Sequence, residues 1–331
     1  MDIFVILIQS TILYAIPLMV VGLGGVFSER SGIINLALEG EMIFGAFIGA
    51  IFTKLIVQAN PALATSQWLY ILGMLISAAS GSLFSLLLSF SAIKFKADQT
   101  IGGTALNMLA PAIVCTFGLL IFSSEKVVSN ANFVIISSSY GPGMQAAMEN
   151  DFFGPILKIL FDKMFISTYI CIAIFVVLTL WLYNSKIGTH LRACGEHPQA
   201  ADSVGINVFR MRYLGTSIGG ALAGLGGFVY IATCAATTAE SGVAGLGFLA
   251  LAIMIFGNWN PLFISLGAIL FGFLKCLGVL YMQIPFLKAL GLPLYFYNIV
   301  PYVVVLIVLI ITRKKSGCPK AEGIPYDKGA R

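Results

Sequence analysis

Charge is scarce in this 331-residue chain: only 10% of its residues are Asp, Glu, Lys or Arg, against roughly a quarter in an ordinary soluble domain. That deficit excludes a conventional solvated surface. Histidine is nearly missing too. His190 and His197 share one loop and lack metal-ligand spacing. None of the six cysteines (Cys115, Cys171, Cys194, Cys234, Cys276, Cys318) belongs to a CxxC pair, which argues against a zinc site or a disulfide framework. They read as small apolar filler. The patterns GxxxxGK[ST] and GxSxG do not occur, so neither a P-loop nor a nucleophile elbow is encoded. We assign no catalytic residue and no metal ligand, and read the chain as a non-enzyme.

What the chain has in abundance is apolar length. Hydrophobic residues make up 59% of it, and mean hydropathy is +0.96. A membrane helix needs about 20 mostly apolar residues. Nine stretches qualify as candidate spans: 3–27, 33–56, 68–93, 101–123, 164–183, 213–235, 246–257, 261–283 and 294–312. The expected fold is therefore an all-α polytopic membrane protein with about 8–10 transmembrane helices. The seventh stretch is short and stops at Asn258-Trp259-Asn260-Pro261. It is expected to be broken or re-entrant, which lipid tolerates only where other helices shield the backbone.

Basic residues give the orientation. With the N-terminus outside, 13 of the 19 Lys and Arg residues fall on inside segments: Arg30, Lys94, Lys96, Lys186, Arg192, Arg210, Arg212 and six in the tail from Arg313 onward. The expectation is N-terminus outside, C-terminus inside. The net charge of +5 then reflects retention of cytoplasmic loops, so no nucleic-acid partner is implied. Met1-Asp2 leads straight into the first apolar run, without the positive region of a cleaved signal, so that span is expected to be kept. The chain divides into a transmembrane domain, 1–312, with an extracytoplasmic loop at 124–163 and a cytoplasmic loop at 184–212, and a cytoplasmic tail, 313–331.

Lipid gives helices little hydrophobic reason to associate, so small residues must let them pack closely. Ser77, Gly81, Ser85 and Ser89 form such a ridge, as do Gly215, Gly219, Ala223 and Gly227, with Thr216, Gly220 and Gly224 alongside; Gly45 and Gly49 add a pair. An internal echo accompanies them. Gly24-Gly25 is followed by Glu29-Arg30-Ser31-Gly32-Ile33, and Gly226-Gly227 by Glu240-Ser241-Gly242-Val243. Under the expected topology the two are inverted relatives, a common transporter architecture; chance similarity between Gly-rich segments competes with that reading.

Polar interruptions of the apolar runs are the candidate functional segments. Asn35, Glu39 and Glu41 follow the first span. A charge at mid-helix costs about 2.5–3.5 kcal/mol or more, so Glu39 and Glu41 must face protein, water or another charge. Either a broken helix lines a cavity there, or the carboxylates sit near the interface with one paired to Arg30. Asp98 is placed to cap the fourth span. Thr104 and Asn107 share a face, either as a polar strip in a pore or as interhelical hydrogen bonds. Translocation-pathway candidates are thus Asn35, Glu39, Thr104 and Asn107.

In the inside loop Gly195 is expected to break any continuous helix, Pro198 to begin a short one, and Gly205 to end it at C′. Ala200, Ala201 and Val204 are expected to share a face that either docks on a cytoplasmic protein or is merely solvated. In the outer loop Tyr140-Gly141-Pro142-Gly143 forms a turn-rich patch, and Asp151 to Lys163 reads as an interfacial helix.

These segments carry a resemblance. Glu29-Arg30-Ser31-Gly32 through Leu38-Glu39-Gly40, Ala97-Asp98-Gln99 through Gly103-Thr104-Ala105-Leu106-Asn107, Leu191 to Ala201, Gly205-Ile206-Asn207 and Ile255-Phe256-Gly257-Asn258-Trp259-Asn260-Pro261 are similar to permease subunits of ATP-binding-cassette importers. The superfamily is that of simple-sugar and branched-chain amino-acid permeases, and the nucleoside branch is the nearest. The tail Gly323 to Gly329 resembles that branch as well. The resemblance implies import of nucleosides, purine nucleosides in particular, across the cytoplasmic (inner) membrane of a bacterium. It implies a cytoplasmic ABC ATPase that binds ATP and Mg, a second permease subunit in a heterodimer, and an extracytoplasmic substrate-binding lipoprotein. The chain itself carries no cofactor. Arg192, Gly195, Glu196, His197, Pro198 and Ala201 then form the ATPase-coupling loop. Cys194 and His197 depart from the usual residues of that loop. The rival expectations are the same machine for ribose or galactose, and an ion-coupled carrier using Glu39, Glu41 or Lys275.

Overall fold

Every apolar run becomes a helix. A computed structural model describes residues 2–135, 147–148, 153–311 and 317–328; the turn-rich patch at 140–143, Asp151 and Phe152, and Arg313 to Lys315 lie outside the described residues. Seven helices are long and apolar enough to cross a membrane: α1 (Asp2–Arg30), α2 (Leu38–Ala59), α3 (Gln67–Lys94), α4 (Gln99–Phe122), α6 (Ile166–Asn184), α9 (Val208–Cys234) and α11 (Pro261–Leu280). Two shorter apolar helices, α10 (Leu246–Phe256) and α13 (Leu294–Ile311), complete the nine expected spans. Between them lie α5 (Gly154–Phe161), α7 (Lys186–Glu196), α8 (Pro198–Ser203) and α12 (Pro285–Ala289). The chain is an all-α polytopic membrane protein.

Local chemistry sets the helix ends. Asp98 caps α4 as expected, its carboxylate accepting from Thr100 N at 2.8 Å and Ile101 N at 3.1 Å. Those two amides hold its pKa below the usual carboxylate range. Asn207 caps α9 through Arg210 N at 3.0 Å, which starts that helix at Val208, earlier than charge alone suggested. Arg212 is thereby carried inside the bundle, where it is fully buried. Conversely α2 starts at Leu38 rather than 33, because Gly32 turns through φ +97 and the next residues leave the helix.

The small-residue ridges pack as expected. A Cβ at Gly24 would lie 2.7 Å from Gly219 O, joining α1 to α9. On another face of α9, Gly220 and Gly224 abut Gly81 and Ser85 of α3, and Gly224 meets Gly45 of α2. Ser85 Oγ donates to Thr216 O at 3.0 Å, and Ser89 shares a short hydrogen bond with Thr216. Helix α9 is consequently the central post, with 67% of its most apolar window buried.

The bundle has two distinct ends. At one, Arg30, Lys96, Arg192 and Lys328 gather with α7, α8 and the tail. At the other, β1 (Val127–Val128) pairs antiparallel with β2 (Thr238–Ala239), pinning the segments after α4 and α9. Helix α5 lies at this second end, its backbone held by Gln9 Nε2 donating to Lys158 O and Asp162 O, both at 2.8 Å. Phe153, Ile156 and Leu160 are exposed on it, as suits an interfacial helix.

Candidate functional site

Two interruptions enter the bundle from opposite ends and meet inside it. The first, residues 31–37, follows α1 at the basic end. The second, residues 235–245, follows α9 at the far end and dips inward to the start of α10. Helix α10 then runs about 16 Å back to the basic end. The Ser31-Gly32 and Ser241-Gly242 parts of the sequence echo fall on these two breaks, which lead into helices that run in opposite directions.

Glu39 is where they touch. Its buried carboxylate accepts from Gly245 N at 3.1 Å and Gly247 N at 2.6 Å, so the first turn of α2 supplies the cap that α10 lacks. A Cβ at Gly247 would collide with the Glu39 backbone at 2.5 Å; the close approach requires glycine. On the other side of Gly245, Tyr302 Oη donates to Ala244 O at 3.0 Å. Lys275 Nζ lies 5.8 Å from the Tyr302 ring centroid, so a cation, a phenol and a carboxylate surround the second break.

Asn35 and Asn107 hold the first break. Asn35 is fully buried; its Nδ2 donates to Glu41 Oε1 and Oε2, each at 3.1 Å, and its Oδ1 accepts from Ala37 N at 3.0 Å. Ala37 has no side chain with which to cap α2. Asn107, on α4, does it instead: Oδ1 accepts from Gly40 N at 2.8 Å and Nδ2 donates to Leu36 O at 2.6 Å. Asn107 is thus an interhelical clamp. Thr104 does not join the cluster. It is exposed on α4, and its hydroxyl bonds back to Thr100 O and Ile101 O at 3.0 and 2.9 Å.

Arg30 pairs with neither Glu39 nor Glu41; its partner is Glu196, at 3.4 Å. Sequence reading also passed over Glu29. It is buried and accepts from Trp259 Nε1, tying α1 to the turn before α11. Its signal was the buried-charge argument already applied to Glu39.

The inside loop is more ordered than expected. Gly195 does not break it: α7 continues to Glu196, and the break falls at His197, φ −144 and ψ 83, because the residue before a proline avoids helical dihedrals. Gly195 instead allows close packing on Arg30 O. Pro198 begins α8 and Gly205 lies at C′ with φ +86. Gly205 N reaches Asp202 O and Ile206 N reaches Ala201 O, both at 3.0 Å, the Schellman pair. Ala201 is buried against Cys194, Val208 and Tyr326, whereas Ala200 and Val204 are exposed. The expected shared face is therefore split, since Ala201 packs inward. Pro198 is buried, His197 exposed, and Arg192 donates to Tyr183 O at 3.1 Å over the Tyr183 ring.

A helical membrane bundle whose discontinuous helices meet inside it is an architecture common among transporters. This chain belongs to the family described as branched-chain amino acid transport system / permease component, whose model matches residues 7–309. Such permeases are non-catalytic membrane subunits of ATP-binding-cassette transporters. The chain is 37% identical to the guanosine ABC transporter permease protein NupQ of Bacillus subtilis, covering 98% of each chain. It is 36% identical to the nucleoside ABC transporter permease protein NupC of Lactococcus lactis, covering 98% of this chain and 97% of that one. A putative glucose ABC transporter permease protein of Haloferax volcanii, TsgC13, is 29% identical over 82% of this chain and 76% of its own. No solved structure matches this chain.

Proposed function

We propose that this chain is the membrane subunit of an ATP-driven importer of nucleosides, with purine nucleosides as the preferred cargo. The observation that carries the reading is the Glu39 carboxylate seated on the amides of Gly245 and Gly247. A helix N-terminus inside a transporter ordinarily attracts an anionic group of the substrate. Here the protein supplies that anion itself, so the junction suits a neutral solute rather than an amino-acid carboxylate or a phosphate. The full-length similarity to relatives named for guanosine and nucleosides supports the same choice. In this reading Glu39 and Thr104 belong to the pathway, Asn35 and Asn107 brace the break beside it, and α7 and α8 seat on a cytoplasmic ATPase that binds ATP and Mg. A related second permease completes the pore, and an extracytoplasmic lipoprotein delivers the ligand. The basic end then faces the cytoplasm of a bacterium and the β1–β2 end faces outward.

The glucose-named relative favours a second reading, a neutral simple sugar. Competition separates the two. Proteoliposomes holding the complete transporter should take up labelled guanosine with ATP inside, and unlabelled purine nucleosides should compete while glucose, ribose and leucine do not. Displacement by glucose or ribose alone would transfer the assignment to sugars.

A further inference from the structure

The tail segment 317–328 is not a loose end. It crosses the basic end of the bundle and joins α7, the first break, α9 and the start of α4. Ala321 N donates to Gly195 O of α7 at 2.9 Å, and two residues later Gly323 N reaches Gly32 O of the first break at 3.3 Å. The left-handed φ of +75 at Gly323 makes that reversal. Arg212, buried in α9, donates to Ile324 O at 3.0 Å. Its guanidinium also lies beside Gly32, Nη2 being 3.0 Å from where a Cβ would sit. Tyr326 then enters the small core of Cys194, Ala201 and Val208. Its ring stands 5.3 Å from that of Phe209. Asp327 pairs with Lys96 at 2.7 Å, just ahead of the Asp98 cap of α4. A cavity of about 310 Å³ lies between Gly323, Pro325, Ile34 and the start of α4.

Two backbone hydrogen bonds, separated by one residue of tail, therefore connect α7 to the break that carries Asn35 and leads into Glu39. Helix α7 also packs directly on α1 and α9, with Gly195 and Glu196 meeting Arg30 beside the break, so the strap runs alongside those contacts. A displacement of α7 and α8 reaches Gly32 through this strap as well as through α1 and α9, and only the strap hydrogen-bonds both Gly195 O and Gly32 O among the described residues.

We propose that the 317–328 strap transmits motion from the α7–α8 coupling segment to the α1–α2 break, with Ala321, Gly323 and Tyr326 as positioning residues for transport. This rests on the reading of α7–α8 as the ATPase seat. Ala321→Pro deletes the donor to Gly195 O, and Tyr326→Ala empties the shared core; Lys320→Ala, at an exposed neighbour, serves as control. The complete transporter carrying each variant is reconstituted in proteoliposomes, and guanosine uptake and ATP hydrolysis are measured together. The expected result is normal co-purification of the ATPase and continued hydrolysis, with guanosine moved per ATP reduced about tenfold in both variants, as for loss of a typical coupling energy. The control should match wild type. An unchanged uptake-to-hydrolysis ratio in either assembled variant overturns the proposal. Loss of the ATPase, or failure of both variants to assemble, overturns it in favour of a docking or folding role. Failure of the underlying reading is distinguishable, because the wild-type transporter would then show no ATP-driven guanosine uptake.

Discussion

The two helix breaks occupy matching places in the fold and are held very differently. Around residues 31–37, side chains from α4 and from the break itself, together with the tail backbone, engage the main chain. Gln99 Oε1 accepts from Ile34 N at 2.8 Å, Asn35 and Asn107 take the amides of Ala37 and Gly40, and the carbonyls of Gly32 and Leu36 are engaged by Gly323 and Asn107. The inner part of the second break, residues 240–245, is held by Glu39, by Tyr302 and by the exposed Lys126–Glu240 ion pair at 2.8 Å. Ser241, Gly242 and Ala244 are exposed. Ala236, Thr237 and Ala244 have φ near +50, a left-handed conformation that costs a non-glycine residue about 1–3 kcal/mol. The first break is braced along its backbone; the second is held by a few side-chain ties with exposed residues between them. Exposed residues and left-handed backbone predict that the second break exchanges and moves more readily than the first.

The sharpest way to break this contrast is Glu39→Ala. It strands the amides of Gly245 and Gly247 inside the bundle, where each unsatisfied group costs several kcal/mol. Initial rates of ATP-driven guanosine uptake should fall at least about 100-fold, which corresponds to about 2.7 kcal/mol, and Glu39→Gln should retain part of the rate. Unchanged uptake by Glu39→Ala would remove this residue from the pathway. Asn107→Ala should act on stability instead. Losing one acceptor and one donor costs about 1–3 kcal/mol, read as earlier thermal unfolding in detergent, with Asn107→Asp intermediate because it keeps the acceptor for Gly40 N. Tyr302→Phe is a smaller lesion, about 0.5–1.5 kcal/mol. Its signature is hydrogen exchange: amides 240–245 should already exchange faster than 31–37 in the wild type, and the substitution should widen that gap. Equal protection of both breaks would contradict the contrast itself. Thr104→Val should shift stability by no more than about 0.5 kcal/mol, since its hydroxyl bonds only its own helix, so a raised KM for uptake in that variant would report a pathway role alone.

Much of this fold could be read from the chain, because lipid imposes a length and composition that few sequences satisfy by chance. The nine spans, the ridges around Gly219 and Gly81, the Asp98 cap and the Pro198–Gly205 helix all rest on local rules, and each is found in the structure. What escaped was pairing across distance. Nothing local tells that Glu39 reaches Gly245 and Gly247, that Arg30 chooses Glu196, or that Asn107 caps a helix on another segment. The break in the inside loop was misplaced at Gly195, because glycine is permissive of turns without requiring one, whereas Pro198 dictates the conformation of His197. The tail was legible only as a resemblance. Its residues have no periodicity, and its structure comes from two short internal turns and from the surface it crosses.

The central claim is a conduit that depends on a partner for energy, and one side-by-side measurement addresses it. Liposomes containing this chain alone are given a sodium or proton gradient, and liposomes containing the assembled transporter are given ATP; guanosine accumulation is followed in both. Accumulation only in the second preparation, and only with ATP, is the predicted result. Concentrative uptake by the lone chain on an ion gradient would contradict the account.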